Sequence, residues 1–291
     1  MTSPKINKQN QIPQNVQEKI QIAKDKKLKE LDLSNNIFGI DDEILTEIIT
    51  NILELELLEL EILNLSGNKL TTLPESISKL TNLKVLYLRS NQLTKLPESI
   101  SKLTNLTKLD LRSNQLTTLP ESISKLTNLK VLYLRSNQLT KSPESISKLT
   151  NLIVLYLRSN QLTKLPESIS KLTNLIVLYL RSSQLTTLPE SITKLTNLTR
   201  LDLSGNPLET PPIEIVVQGI TAITEYFQQI KEEGTDYLYE AKLLIIGEGS
   251  AGKTTLANKI QNPDYQLQDE DSTKGIEVYQ WNSPTTNQHN F

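Results

Sequence analysis

The chain has 291 residues and no cysteine. That absence removes disulfides, thiolate metal sites and thiol catalysis together. It also rules out the cysteine-capped form of extracellular repeats. Histidine occurs once, at His289 in a polar tail, so no histidine-based triad or metal cluster can form. Neither sign of charge dominates. The formal net charge is -2, which gives no bulk pull toward nucleic acid or membrane. Long apolar runs are missing as well. The most apolar stretch, IITNILELELLELEILNL, is broken by glutamates every few residues, so it is not a membrane span. The opening MTSPKINKQNQIPQ has no apolar core of a secretory signal. The expectation is a soluble cytoplasmic protein. Glycine is scarce, with 9 in all, yet three fall within 247–252.

What the chain has is repetition. The unit LPESISKLTNLxVLYLRSNQLTx recurs every 23 residues, and its skeleton LxxLxLxxNxL begins at Leu60, Leu83, Leu106, Leu129, Leu152, Leu175 and Leu198. A degenerate copy begins at Leu28. Within LKVLYLRSN the residues alternate, so the segment reads as a strand. Leu86 and Leu88 are expected to point inward; Val85, Tyr87 and Arg89 are expected to point outward. Asn91 closes the strand, where its amide can bond turn backbone and link neighbouring coils. The return segment LPESISKLTNL carries Pro, Ser and Thr, which disfavour a long helix. Ile100 and Leu103 can still reach the core from one short helical turn. No single unit buries its own apolar face, so stacking is obligatory. Two copies depart from the pattern: Ser142 stands where others have leucine, and Ser183 replaces the recurrent asparagine. Each is expected to loosen its own coil.

On these residues the chain from 28 to 212 resembles the leucine-rich-repeat family. The resemblance implies an α/β horseshoe solenoid with parallel strands on the concave face. Its ends need covers. Residues 13–26 suit a short N-terminal helix. The insertion DDEILTEIITNIL suits another, capped by Asp41, with Ile44, Leu45, Ile48, Ile49 and Ile52 as its apolar stripe. After paired prolines, a helix is expected over 213–233, with Gly234 as its stop.

The outward strand positions form two columns. One reads Asn64, Tyr87, Asp110, Tyr133, Tyr156, Tyr179, Asp202. Beside it run Ser66, Arg89, Arg112, Arg135, Arg158, Arg181 and Ser204. Arginines one strand apart, flanked by tyrosines, could grip an acidic or phosphorylated protein partner. Copying of repeats alone also produces such columns, and the guanidinium groups would then be merely solvated. Nucleic acid is disfavoured, because no wider basic field supports it.

A different motif lies near the end of the sequence, in AKLLIIGEGSAGKTTLANKIQN. A short apolar run reads as a buried strand, a glycine-rich turn follows, and a helix begins at Thr254. The spacing is GxxxxGKT. Gly247, Gly249, Ser250, Ala251, Gly252, Lys253, Thr254 and Thr255 are the candidate nucleotide-binding residues. Glycines let backbone N–H groups wrap phosphates, and the helix N-terminus adds partial positive charge. Lys253 would reach the β- and γ-phosphates, and the Thr254 hydroxyl would ligate Mg²⁺. The acidic triplet at 269–271 reads as a solvated loop.

The order of leucine-rich repeats, a GNPL…PP exit, a helix, the phosphate loop and STKGIEV resembles the Roco family, whose Roc domain is a Ras-like GTPase. That resemblance implies GTP or GDP with Mg²⁺, and Thr273 as the switch threonine at the metal. It divides the chain into an N-terminal cap helix (1–27), a repeat domain (28–212), a linker helix (213–240) and a partial Roc domain (241–291). No DxxG or NKxD segment follows the loop, and no COR or kinase signature is present. The expectation is therefore an interaction solenoid joined to the first part of a nucleotide domain. A GTP hydrolase in its own right, and a structural repeat protein with a vestigial tail, are the alternatives.

Overall fold

The computed structural model describes residues 12–35, 39–141 and 144–233, with Leu256 and Gln266 besides. The chain divides into two compact units, Met1–Gly234 and Thr235–Phe291. The first contains all the elements discussed here.

Its centre is one parallel sheet of eight strands in sequence order. The strands are β1 (Glu30–Asp32), β2 (Ile62–Asn64), β3 (Val85–Tyr87), β4 (Lys108–Asp110), β5 (Val131–Tyr133), β6 (Val154–Tyr156), β7 (Val177–Tyr179) and β8 (Arg200–Asp202). The 23-residue period sets the register. Leu63, Leu86, Leu109, Leu132, Leu155 and Leu178 align across the sheet, and each is 0% exposed. The leucines two residues further on, from Leu65 to Leu180, form a second fully buried row. Full burial of each such side chain contributes about 2 kcal/mol.

From β2 to β8 each return segment contains a single 3₁₀ turn, such as Glu98–Lys102. Pro97 enters it with extended backbone, and Ile100 and Leu103 reach the core as expected. The turn stays short because a serine hydroxyl takes a helical carbonyl: Ser101 donates to Glu98 O at 2.8 Å.

Buried asparagines join the coils. Asn114 Nδ2 donates to Leu111 O in its own coil and to Leu88 O in the coil before, both at 3.0 Å. Its Oδ1 accepts from Leu93 N at 3.0 Å. Asn91, Asn137, Asn160 and Asn206 repeat this arrangement. The residue immediately before each asparagine turns the chain through left-handed backbone. Serine fills that position in the middle coils, as at Ser113 with φ 54°, and glycine fills it at Gly67 and Gly205.

Helix α1 (Gln14–Asp25) covers the β1 end, burying Val16, Ile20 and Ala23. Helix α2 (Asp42–Glu54) is capped by Asp41, which accepts from Ile44 N at 2.9 Å. Leu45, Ile48, Ile49 and Ile52 of its stripe are fully buried, and Ile44 is half-buried. Asp42 adds a tie not read from the sequence. It accepts from Thr71 N at 2.8 Å, from Thr72 N at 3.1 Å and from both threonine hydroxyls.

Two expectations are corrected. The helix expected over 213–233 is two helices, α3 (Ile213–Val216) and α4 (Ile220–Glu233). Gly219 separates them at φ +97°, a conformation that cannot continue a right-handed helix. Leu28 does not enter the core as Leu60 and Leu83 do; it is 40% exposed. It sits in the turn that ends α1, where its N–H donates to Ala23 O at 2.8 Å after Lys27 at φ 49°. Ser142 and Gly234 lie outside the described residues.

Candidate functional site: the strand face

Alternation along each strand points one side chain in two away from the core, and the register stacks these into columns. Tyr133, Tyr156 and Tyr179 occupy adjacent strands. The Tyr156 and Tyr179 rings stack with centroids 4.6 Å apart, and the Tyr133 ring lies tilted by 42° against Tyr156 at 4.9 Å. Burial raises the Tyr156 phenol above its ordinary pKa, with the flanking Tyr179 and Tyr133 adding to the effect. The Tyr156 hydroxyl therefore stays neutral at physiological pH.

Tyr87 belongs to the same column but stands apart, because Asp110 interrupts it. Lys108 fills the gap. Its Nζ lies 3.3 Å from the Tyr87 hydroxyl, 5.0 Å from the Tyr87 ring centre and 5.6 Å from that of Tyr133. Lys108 replaces the valine of β3, β5, β6 and β7, and that departure from the repeat was the signal in the sequence.

The arginines are not equivalent. Arg112 is locked by Asp110: Nε donates to Oδ1 at 2.8 Å and a terminal nitrogen donates to Oδ2 at 2.5 Å. Its guanidinium carbon also lies 4.8 Å from the Tyr133 ring centre. The Asp110 hydrogen bond raises the Arg112 pKa further above its already high value. Asp110 is 1% exposed. Arg89, Arg135 and Arg181 are exposed, and Arg158 is half-buried. None of these four has a carboxylate partner among the described residues. The Nε of Arg158 is buried and makes no hydrogen bond. Thus the five-arginine column is in fact three adjacent free cations, on β5 to β7, with Arg89 alone beyond the internal pair.

A further feature lies on the other side of the tyrosines, at the strand entrances. A shallow groove of about 570 Å³ is lined by Lys130, Ile153, Ile176 and Thr199, together with Asn151, Asn174 and Asn197. Ile176 is 41% exposed. From groove to rim, β6 and β7 thus present isoleucine, valine, tyrosine and arginine in parallel rows, and β5 presents Lys130 in the isoleucine place.

The phosphate-loop residues Gly247, Gly249, Ser250, Ala251, Gly252, Lys253, Thr254 and Thr255, and Thr273, lie outside the described residues. Among the described residues no cluster of histidine, cysteine or acidic side chains could hold a metal ion, and no helix is long and apolar enough to cross a membrane.

Family models agree with this geometry. Leucine rich repeat models match residues 81–139, 104–162, 128–181 and 150–208. A model of Leucine Rich repeats (2 copies) matches 58–103, and another of the Leucine Rich Repeat matches 27–51. Together they span more than half of the chain, which belongs to the leucine-rich-repeat family. Among solved structures it is similar to a leucine-rich-repeat protein of Leptospira interrogans. The two are 36% identical with a TM-score of 0.55, over 65% of this chain and 53% of that one. It is also similar to the plant peptide hormone receptor RGFR1 in complex with RGF2, at 38% identity and a TM-score of 0.48, over 52% of this chain and 25% of the receptor. The chain thus spans about half the length of the first relative and a quarter of the second. No curated protein matches the sequence.

Proposed function

We propose that the protein is an interaction scaffold whose strand face grips an acidic segment of a protein partner across β5, β6 and β7. The observation that carries this reading is the run of Arg135, Arg158 and Arg181 on adjacent strands, with no carboxylate among the described residues neutralising any of them. Free guanidinium groups on a flat aromatic surface bind carboxylate or phosphate oxygens in fork geometry. The tyrosine stack supplies rigid contact area at low entropic cost, and the isoleucine groove gives apolar residues of the same segment a place to lie. The Arg158 Nε gains an acceptor when the partner binds.

The test is fluorescence anisotropy with labelled acidic peptides, some carrying apolar residues, and basic peptides as controls. Salt-sensitive binding of the acidic set, abolished by Arg135→Glu with Arg158→Glu, is the expected result. If the double variant binds every acidic peptide as the parent does, the face is not the site.

The motif GEGSAGKTT supports a second activity. We propose that residues 241–291 contribute a Roc-type element for GTP or GDP. Residues 247–255 would wrap the phosphates, Lys253 would contact them, and Thr254 and Thr273 would meet Mg²⁺. The support is sequence alone: the motif, its strand-like and helix-like flanks, and its place after the repeats. On this reading residues 1–27 cap the solenoid, 28–212 bind the partner, 213–240 link, and the chain acts in cytoplasmic signalling. Titration with labelled GDP tests it. Mg²⁺-dependent binding lost in Lys253→Ala supports the element; no binding by a cooperatively folded chain leaves the scaffold role alone.

A further inference from the structure

The two edges of the sheet differ. At the first, α1 packs against β1. Lys19 Nζ donates to Asp32 O at 2.8 Å, and Leu31 is only 3% exposed. At the last, α4 packs on α3 and on the final 3₁₀ turn, Glu190–Lys194. Leu201 of β8 is left half-buried, whereas every other strand leucine in its row is 3% exposed or less.

The backbone shows the same opening. Coil after coil, the second strand leucine donates forward, as Leu157 N does to Tyr179 O and Leu180 N to Asp202 O, both at 2.8 Å. The left-handed residue two further on does likewise, as Ser182 N does to Ser204 O at 2.9 Å. Their counterparts in β8, Leu203 N–H and Gly205 N–H, find no acceptor among the described residues. Thr199 C=O holds the position from which Ile176 C=O accepts two N–H groups of the next coil. By the same register, the N–H and C=O of Leu201 face outward. Such an edge is a template for another strand.

We propose that β8 is a self-complementary interface at which two copies of this chain pair antiparallel, with Leu201 on the two-fold axis. The charges commit it to a second copy. Arg200 and Asp202 flank Leu201 on the strand face. In an antiparallel pair centred on Leu201, Arg200 lies opposite Asp202 of the second copy, and the reverse contact forms by symmetry. Cross-strand neighbours at this spacing reach one another. Leu201 then exchanges both backbone bonds with its symmetry mate, and Leu203 N–H reaches Thr199 C=O. A parallel pairing in register would instead set Arg200 against Arg200. Head-to-tail stacking on β1 is blocked by α1, so the contact closes as a dimer and does not propagate. This inference is independent of the partner-binding face.

Sedimentation of the full chain over a range of concentrations tests it, using the parent, Arg200→Asp, Asp202→Arg and the double exchange. A reversible dimer is expected in the parent. Each single variant faces like charges and should dimerise at least about tenfold more weakly, and the exchange, which restores both pairs, should return to within about threefold of the parent. Unchanged thermal melts check that each variant folds. Amide exchange at Leu201 and Leu203 should slow as the dimer forms. A parent that stays monomeric, as it would were the edge covered by another segment of its own chain, overturns the proposal. So do single variants that dimerise like the parent, or an exchange that fails to recover.

Discussion

Asn206 accepts two backbone bonds through one oxygen, from Ser183 N at 2.9 Å and from Leu185 N at 3.0 Å. The other bridging asparagines accept from the leucine position alone. The difference lies in residue 183. Its serine hydroxyl reaches Leu157 O at 3.1 Å, but it has no second donor and no oxygen placed to accept from Leu162 N as an asparagine would. The coil is held by fewer ties, at a site that is 0% exposed.

Ser183→Asn should therefore stabilise the solenoid. Restored bonds to the coil before are worth about 1 kcal/mol each, less the cost of fitting a larger side chain. A net gain of about 1 kcal/mol would raise Tm by roughly 2–4 °C. The reverse change at an intact rung, Asn114→Ala, strips three buried bonds and should cost about 3 kcal/mol. Thermal or urea melts that place Ser183→Asn below the parent would show that the closed pocket rejects the amide.

Asp42 makes stability depend on pH. Burial pushes its carboxyl up, but hydrogen bonds from Thr71 and Thr72 outweigh this and hold it below the ordinary value of 3.8. A depressed carboxyl contributes stability that is complete above its unfolded pKa and is lost as pH falls through the lower folded one. Asp42→Ala should cost about 1–2 kcal/mol at neutral pH. The gap between parent and variant in urea melts should narrow as pH falls below the ordinary carboxyl value of 3.8. A constant gap across that range would place the stabilisation elsewhere.

The repeat core was legible because it is periodic. One register of leucines recurring every 23 residues fixes strand, face and neighbour at once, and the buried rows from Leu63 to Leu178 follow from it. Position within the array was not legible in the same way. Leu28 and Leu201 match the pattern but meet no further coil among the described residues, where one turns outward and the other stays half-covered. The arginine column looked uniform because the sequence gives each strand the same letter. Its division depends on Asp110, two residues before Arg112 on the same strand face, where a side chain of the right length closes a fork. The break at Gly219 was visible as a glycine, but not as a backbone sign.

That division yields the sharpest comparison within one face. Arg112 neutralises a carboxylate that is 1% exposed, whereas Arg135 and Arg181 have no partner among the described residues. Removing one side of a buried pair leaves the other charge uncompensated. Arg112 is itself 30% exposed, so water screens part of the loss. Arg112→Ala should cost about 1–3 kcal/mol, and Arg135→Ala and Arg181→Ala should fall within about 0.5 kcal/mol of the parent. Adding Asp110→Asn to Arg112→Ala should recover part of the loss, because the orphaned charge goes with it. In acidic-peptide binding the order should invert, with Arg135→Ala weakening the complex more than Arg112→Ala. Urea melts and anisotropy titrations on the same variants measure both. Equal stability losses for all three arginines would mean that the Asp110 fork does not hold in solution and that the column is uniform after all.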